Sequence, residues 1–440
     1  MEIMWVMISE MLVHHTLQIN CHTIQDVTVK IHARFLTIAL LIICNAALPV
    51  TTAHASPPGA DLVPNPAAEQ YLLDELRATG YVDLEANFAR EDSVISGELL
   101  LFALKDPEVQ SKPLIFIRNA IIADDLFASD ITIPASLVFN QVEFNGQANF
   151  FLAQLRTFEA YDSNFKGGLV LEDATISRNL RLTGNEFGGN ASLDGAQIDG
   201  YVLAGDNAFL QSLSFLRANI HGNVDLRNNT INENLNFYGA HTVGEFLLDN
   251  SRILGVEALP WTTYPVEFWY TTIDGLASFN DVYFEGSAYF KDFRAENTAQ
   301  FVGVTFNSRV DFENASIARD ADFSGATFND MANFNGFYTG NFALFNGNAD
   351  FTNATVIRQA DFTDAQFNGS AIFDYFTANR FMDFINTTFN QDFSLYYASV
   401  AWPILKMSFS TDRLILKVCK PATIWNLPTP PTMIQKNPSL

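Results

Sequence analysis

The apolar pattern of this chain repeats every eleven residues. In windows such as 307–317 (NSRVDFENASI) and 318–328 (ARDADFSGATF), apolar or small residues occupy positions four, six and eleven. The same frame runs from residue 112 to residue 400, with a loop insertion at 254–262 (LGVEALPWT). A repeat of this length predicts a solenoid, in which each repeat buries its apolar side against its neighbours.

A period of eleven also suits a helical coiled coil. The residue types therefore have to distinguish a helical repeat from a repeat of strands. Such a helix turns once in about 3.67 residues and needs strong helix formers on its outer face. These windows instead contain Gly, Asn, Asp, Thr and Phe throughout. Because those residues disfavour helix interiors or prefer strands and turns, the composition favours strands.

The eleven residues divide into five plus six. Positions four and six, such as Ala321 and Phe323, point to one side of an extended stretch, and positions nine and eleven, Ala326 and Phe328, do so again. Each half window predicts one short strand, and two windows predict one four-sided coil. Coils then stack by parallel pairing at about 4.8 Å. Phe fills the interior, and Ala two positions earlier leaves room for it. The pattern predicts an all-β fold.

The units resemble those of the pentapeptide-repeat proteins, whose motif is A(D/N)(L/F)xx. The matching units ADF, ANF, ATF and AQF begin at Ala321, Ala326, Ala332, Ala349, Ala360 and Ala365. The resemblance implies a right-handed parallel β-helix, roughly four-sided, over 112–400. This chain departs from the family motif in its eleven-residue, five-plus-six repeat and in its first half, where position four is Leu, Val or Phe, as in Leu169, Val202 and Phe246.

Residues 1–55 have the layout of a secretory signal peptide. A short basic stretch at Lys30–Arg34 precedes an apolar run, and Ala53 and Ala55 offer a small-x-small cleavage site. Because the basic stretch begins so far into the chain, we expect the start codon to be misassigned. The sequence thus predicts export to the periplasm or the extracellular space. The alternative is an uncleaved N-terminus that anchors the protein in a membrane.

The two flanks of the repeat differ from it. In 56–111, a linker precedes a predicted short helix with Leu72, Leu73 and Leu76 on one side and Gly80 as its stop signal. We expect this segment to be an N-terminal cap over the first coil, because an uncovered strand edge invites aggregation. The tail 401–440 turns basic and Pro-rich. This change indicates a frameshift or a truncation, with a genuine cap as the alternative.

The repeat body is strongly acidic. The whole chain has 25 Lys and Arg and 49 Asp and Glu; removing 1–55 (2 and 3) and 401–440 (5 and 1) leaves 18 against 45, a net charge of −27. Such a body repels nucleic acid and anionic membrane surfaces.

Catalytic, cofactor-binding and metal-ligating residues are not predicted. The three Cys lie outside the repeat, which contains only His221 and His241 as histidines. Outward Asp residues at position five could form a Ca²⁺-binding ladder, but a solvated face is the favoured interpretation. These residues are Asp225, Asp311, Asp322, Asp350, Asp361 and Asp383.

The segment around the insertion is the one candidate binding site. Trp261, Tyr264, Trp269 and Tyr270 lie close together in the sequence and could stack on a sugar or on a side chain of a partner. The alternative is a structural loop that packs onto the coil.

Three functions remain open. The sequence favours an exported, non-enzymatic scaffold that binds another protein or a cell-envelope component. The resemblance also suggests an extracytoplasmic domain of a larger membrane protein whose spanning C-terminal part is missing, with ion-channel-like proteins among the candidates. It further suggests an acidic mimic of DNA that inhibits gyrase, which an export signal disfavours. A polysaccharide-cleaving β-helix would need a compact cluster of Asp with Arg or Lys, which the scattered lysines do not offer.

Overall fold

The computed structural model describes residues 62–255, 265–335, 343–404, 408–409 and 414–415. In this part of the chain, short strands follow each other at alternating spacings of five and six residues. One coil contains Glu186–Phe187, Ala191–Ser192, Gln197–Ile198 and Val202–Leu203. The next coil begins with Ala208–Phe209, which pairs in parallel with Glu186–Phe187. The predicted division of the repeat is therefore confirmed.

Successive coils build four columns of parallel strands. Each strand pairs with the strand at the same place in the coils before and after it, as Val202 does with Leu180 and Val224. The described coils form a β-solenoid of about 12 turns with few helices. This arrangement confirms the all-β parallel β-helix. Its right-handedness and its four-sided cross-section stay predictions.

Most strands have two residues, and the longer ones lie towards the two ends of the solenoid. The described strands of four or more residues are Leu114–Arg118, Thr132–Asn140, Gln154–Tyr161, Leu180–Thr183, Thr377–Asp383 and Ser399–Ile404. The insertion lies between Arg252–Ile253 and Val266–Glu267. Val266 pairs with Leu235 and Ala288, so the columns continue in register beyond the insertion.

The interior is built from stacked Phe rings. In the column Phe279, Phe301, Phe323, Phe351 and Phe373, neighbouring centroids lie 4.7 to 4.9 Å apart and the rings are within 3° of parallel. The strand spacing imposes this stacking, although isolated rings prefer offset or edge-to-face contacts. Adjacent columns supply those contacts.

The first half of the repeat fills the same space with a different pair of residues. Val224 and Leu226 occupy positions four and six there, whereas Ala277 and Phe279 occupy them two coils later in the same column. All four side chains are fully buried. The larger residue at position four is matched by a smaller one at position six, and cores tolerate exchanges that conserve volume.

In the described part of the repeat, each eleven-residue window turns one of its corners at position eight. The residue there has a left-handed backbone, with φ between +48° and +68° wherever the structure describes the corner residue of the repeat. Gly, Asn and Asp reach this conformation most easily, which explains why they recur at the corners. Examples are Asp173, Gly184, Asn228, Gly303, Asn314 and Asp364.

The described part of the N-terminal segment, 62–111, contains three α-helices, two short 3-10 helices and the first strands. Helix α1 (Pro66–Thr79) has Asn65 as its N-cap and buries Leu72, Leu73 and Leu76. It ends at Gly80, where φ is +78° and an added Cβ would lie 2.3 Å from the Leu114 carbonyl oxygen. The predicted helix is therefore present, and it contacts the first strands, Tyr81–Asp83 and Val94–Ile95.

Two further helices, α2 (Gly97–Lys105) and α3 (Pro107–Gln110), follow those strands. Asp106 joins the helices: its Oδ1 accepts the amide of Glu108 at 2.8 Å, and its Oδ2 accepts Arg77 Nη2 at 2.7 Å. The hydrogen bond from Arg77 lowers the pKa of Asp106. The carboxylate thereby ties α1 to α3.

Candidate partner-binding surface

Two of the four predicted site residues lie within the described chain. Trp269 and Tyr270 follow the strand Val266–Glu267 at a corner of the coil, whereas Trp261 and Tyr264 lie outside the described residues. The centroids of the Trp269 and Tyr270 rings are 5.8 Å apart, and the ring planes differ by 22°. The two rings therefore form a nearly parallel pair.

A third ring, from Tyr238, joins this pair from the preceding coil. Asn236 pairs with Glu267, so Tyr238 lies beside Trp269 in the same column. The Tyr238 centroid is 6.2 Å from that of Trp269 and 5.7 Å from that of Tyr270, with an edge-on orientation to each. Tyr238 was missed in the sequence, although Tyr238 and Trp269 both occupy position seven of their windows. We call Tyr238, Trp269 and Tyr270 the aromatic corner.

The next coil fixes the orientation of Trp269. Its Nε1 donates to Asp292 Oδ2 at 3.3 Å, and Lys291 Nζ lies 5.3 Å from the ring centroid. Lys291 in turn forms an ion pair with Glu313 at 3.0 Å. Burial opposes the charged form of Lys291, but the hydrogen bond to Glu313 and the nearby carboxylates outweigh burial, so its pKa is raised.

Glu267 occupies position five beside the aromatic corner. It is aligned with Asn236 on one side and Tyr289 on the other. Partial burial raises the pKa of Glu267 to about 7. This carboxyl group is therefore close to half ionised at neutral pH.

The Asp and Asn side chains at position five accept hydrogen bonds from the backbone of the corner that follows them. Oδ1 of Asp322, Asp350 and Asp361 accepts the backbone N–H two residues later, at 2.8 to 2.9 Å. Asn236 makes the same bond with the amide of Tyr238 at 2.8 Å. Such Asx turns hold the chain in its turn conformation.

Strand pairing aligns some of these acids. Asp322 pairs with Asp350, and Asp361 pairs with Asp383. The prediction that all position-five acids are solvated is wrong for two of them, since Asp311 is 6% and Asp383 9% exposed. Asp311 is covered because Arg309 and Asn333 donate to it, each at 2.8 Å. Burial, with Asp361 nearby, raises the pKa of Asp383.

Neither a metal centre nor a membrane span emerges from the described residues. Within them, no three His, Cys, Asp or Glu side chains are grouped so that they could hold a metal ion. None of the helices that the structure describes is long and apolar enough to cross a membrane.

Comparison with protein families agrees with the coil geometry. The family model described as pentapeptide repeats is found in nine copies, with a match to residues 296–336. The chain is a pentapeptide-repeat protein. Neither curated proteins nor solved structures give a match.

The matched segment of this pentapeptide-repeat protein lies in the regular, Phe-rich half of the solenoid. Its described residues include the strands Ala299–Gln300, Val310–Asp311 and Ala321–Asp322. The aromatic corner lies N-terminal to residues 296–336, beside the insertion that interrupts the repeat.

Proposed function

We propose that this pentapeptide-repeat protein is an exported, non-enzymatic scaffold whose outward carboxylate columns bind another protein or a cell-envelope component. The observation that carries the proposal is the in-register alignment of Asp322 with Asp350. Like charges opposite each other on paired strands destabilise a sheet. A sequence that keeps such a pair gains something other than stability from it.

The Asx turn alone does not account for the charge. Asn149, Asn236 and Asn333 occupy position five in other coils, and their Oδ1 atoms accept the same backbone N–H. A neutral amide therefore suffices for the turn. What Asp adds to Asn is the negative charge, which attracts and orients a positively charged partner.

Export is part of the proposal and rests on the signal-peptide pattern in 30–55. Mass spectrometry of the mature protein, isolated from the organism that encodes it, tests this part. We expect the mature chain to begin at Ser56 and to be recovered outside the cytoplasm. A chain that retains Lys30–Arg34 and stays in the cytoplasm would contradict export.

A charge-neutral variant tests the carboxylate columns. Asp322→Asn with Asp350→Asn keeps the Asx turns and removes two charges. Chemical cross-linking of the purified protein to an envelope fraction, followed by affinity capture and mass spectrometry, should give a partner with the wild type and lose it with this variant.

The matched control is Asp173→Asn with Asp281→Asn. These residues occupy position eight, where Asn also occurs, and they are exposed. The control changes the net charge by the same amount and should still capture the partner. Equal capture by the wild type and both variants would reject the proposed role of the columns.

A further inference from the structure

Tyr270 occupies a corner position that disfavours it. Position eight has a left-handed backbone, and Gly, Asn or Asp occupies it in most windows, whereas Tyr270 adopts φ +57°. A bulky side chain is crowded against the backbone in this conformation, so Tyr makes the fold less stable there than Asn would. Strained residues of this kind are concentrated at functional sites.

Burial does not offset this strain. The Tyr270 residue is 51% exposed, whereas Phe268, two residues earlier, is fully buried. The Tyr270 ring packs against Trp269 and Tyr238 and presents its remaining surface to solvent. Exposed Tyr and Trp side chains are favoured anchors at protein interfaces.

The ring pair is also held rigidly. Asp292 and Lys291 fix Trp269 from the following coil, and Tyr238 lies edge-on to both rings from the preceding coil. A binding surface with fixed side chains loses little conformational entropy when a partner binds.

The surroundings indicate the chemistry of the partner. Aromatic faces attract cations, and Lys291 Nζ already lies 5.3 Å from the Trp269 centroid. Asp292 adds a carboxylate at the corner, and the repeat body carries a net charge of −27, from 18 basic and 45 acidic residues in 56–400. A neutral sugar could stack on the rings but would gain nothing from these charges.

We infer that the aromatic corner binds an Arg- or Lys-bearing segment of a partner protein. This inference rests on the proposed function, because it names the chemistry of the partner that the acidic scaffold recruits. The cationic side chain stacks on the exposed face of Tyr270, and the Asp292 carboxylate draws it to the corner.

The inference is tested by measuring how a fluorescein-labelled octa-arginine peptide binds the protein, with fluorescence anisotropy as the readout. The measurement is made at ~150 mM salt because salt screens the diffuse attraction of the peptide to the acidic body. The variant is Tyr270→Asn, which places a corner-favouring residue at position eight. Its control is Leu152→Asn, because Leu152 has φ +57° and is 45% exposed at a corner of the same column but has no aromatic ring. Both variants should unfold at the wild-type temperature or above.

We expect Tyr270→Asn to weaken octa-arginine binding by about fivefold or more and Leu152→Asn to change it by less than about twofold. Equal effects of the two variants, or no effect of either, would overturn the inference. Chitohexaose that binds the wild type and loses affinity in Tyr270→Asn, while octa-arginine does not, would also overturn it and assign the corner to sugars.

The two proposals fail in distinguishable ways. If Tyr270→Asn binds octa-arginine like the wild type while the Asp322→Asn and Asp350→Asn variant loses the cross-linked partner, the aromatic corner is not the site and the carboxylate columns stand. If Tyr270→Asn weakens binding and the carboxylate variant captures the partner normally, the corner stands without the columns.

Discussion

At the scale of single residues, position five both shapes the corner and sets the surface charge. The side chains of Asp350 and Asn333 accept the backbone N–H two residues later. At Ser214, a carboxylate from the preceding coil replaces this bond: Asp194 accepts the Ser214 hydroxyl and, at 3.0 Å, the Leu216 amide. The corner amide is thus satisfied at each of these three positions.

Removing the side chain at Asp350 should destabilise the corner. In Asp350→Ala, the amide of Thr352 loses its acceptor at 2.8 Å, and we expect a loss of about 1 kcal/mol in the free energy of unfolding. Asp350→Asn should lie within about 0.5 kcal/mol of the wild type because its amide oxygen makes the same bond. Urea denaturation followed by circular dichroism measures both, and equal stability of the two variants would contradict this role.

The carboxyl group of Glu267 should make stability depend on pH. Burial raises its pKa from 4.5 to about 7, so the folded state binds its proton more tightly than the unfolded state does. Ionising this carboxyl group in the folded state lowers the free energy of unfolding. This loss of stability is absent below pH 4.5, grows as the pH rises and is complete above about pH 7.

Glu267→Gln removes this loss of stability. We expect no change in stability below about pH 4.5 and a gain on the order of 1 kcal/mol above pH 7, after allowing for the partial exposure of the group. Thermal unfolding of the wild type and the variant at several pH values measures the difference. A gain that is the same at pH 4 and pH 8 would show that ionisation of Glu267 is not its cause.

At the scale of the strand and coil, a buried column of polar residues connects successive coils. Asn185, Asn207 and Asn229 are at most 3% exposed. Oδ1 of Asn207 accepts the amide of Asn185 at 2.9 Å, and Nδ2 donates to the Leu182 carbonyl at 2.6 Å. Asn229 repeats both contacts one coil later, with Asn207 and Ala204. This ladder satisfies backbone groups that the core would otherwise leave unpaired.

Removing one Asn side chain from this ladder should lower the free energy of unfolding. Asn207→Ala leaves the Asn185 amide and the Leu182 carbonyl without these partners inside the core, and we expect a loss of about 2 to 3 kcal/mol. Asn219→Ala, at an outward position of the same coil, should cost less than about 0.5 kcal/mol. Urea denaturation compares the two, and similar losses would contradict the role of the ladder.

The sequence predicted the coil better than its polar contacts. The alternation of inward residues such as Ala321 and Phe323 sets the period directly, because a one-residue slip would expose the whole apolar set. The Asn ladder was missed because position nine was interpreted as small and apolar from residues such as Ala326. Its signal, Asn at intervals of 22 residues, is present at Asn185 and Asn207.

The aromatic corner shows a similar limit. Trp269 and Tyr270 were identified by their closeness in the sequence, but their contact with Tyr238 and Lys291 depends on the register of three coils. Sequence patterns show which residues face outward, whereas the pairing between coils decides which of them meet.

At the scale of the whole molecule, one register underlies every feature described above. The Phe stacks, the Asn ladder, the carboxylate columns and the aromatic corner all require each coil to pair with the next without slippage. Gln300 is aligned with Asp322, and Asp322 with Asp350. The register therefore places the functional side chains, and a different register would disperse them.

Disulfide trapping tests whether neighbouring coils pair in this register. In a chain whose three native cysteines are replaced by Ser, Gln300→Cys with Asp322→Cys should form an intrachain disulfide, because paired strands lie about 4.8 Å apart and a disulfide needs Cα atoms about 4.4 to 6.8 Å apart. Peptide mapping after mild oxidation should find this bond and should not find one in the offset pair Gln300→Cys with Ser324→Cys. Cross-linking of the offset pair alone would contradict the register and, with it, the carboxylate columns and the aromatic corner.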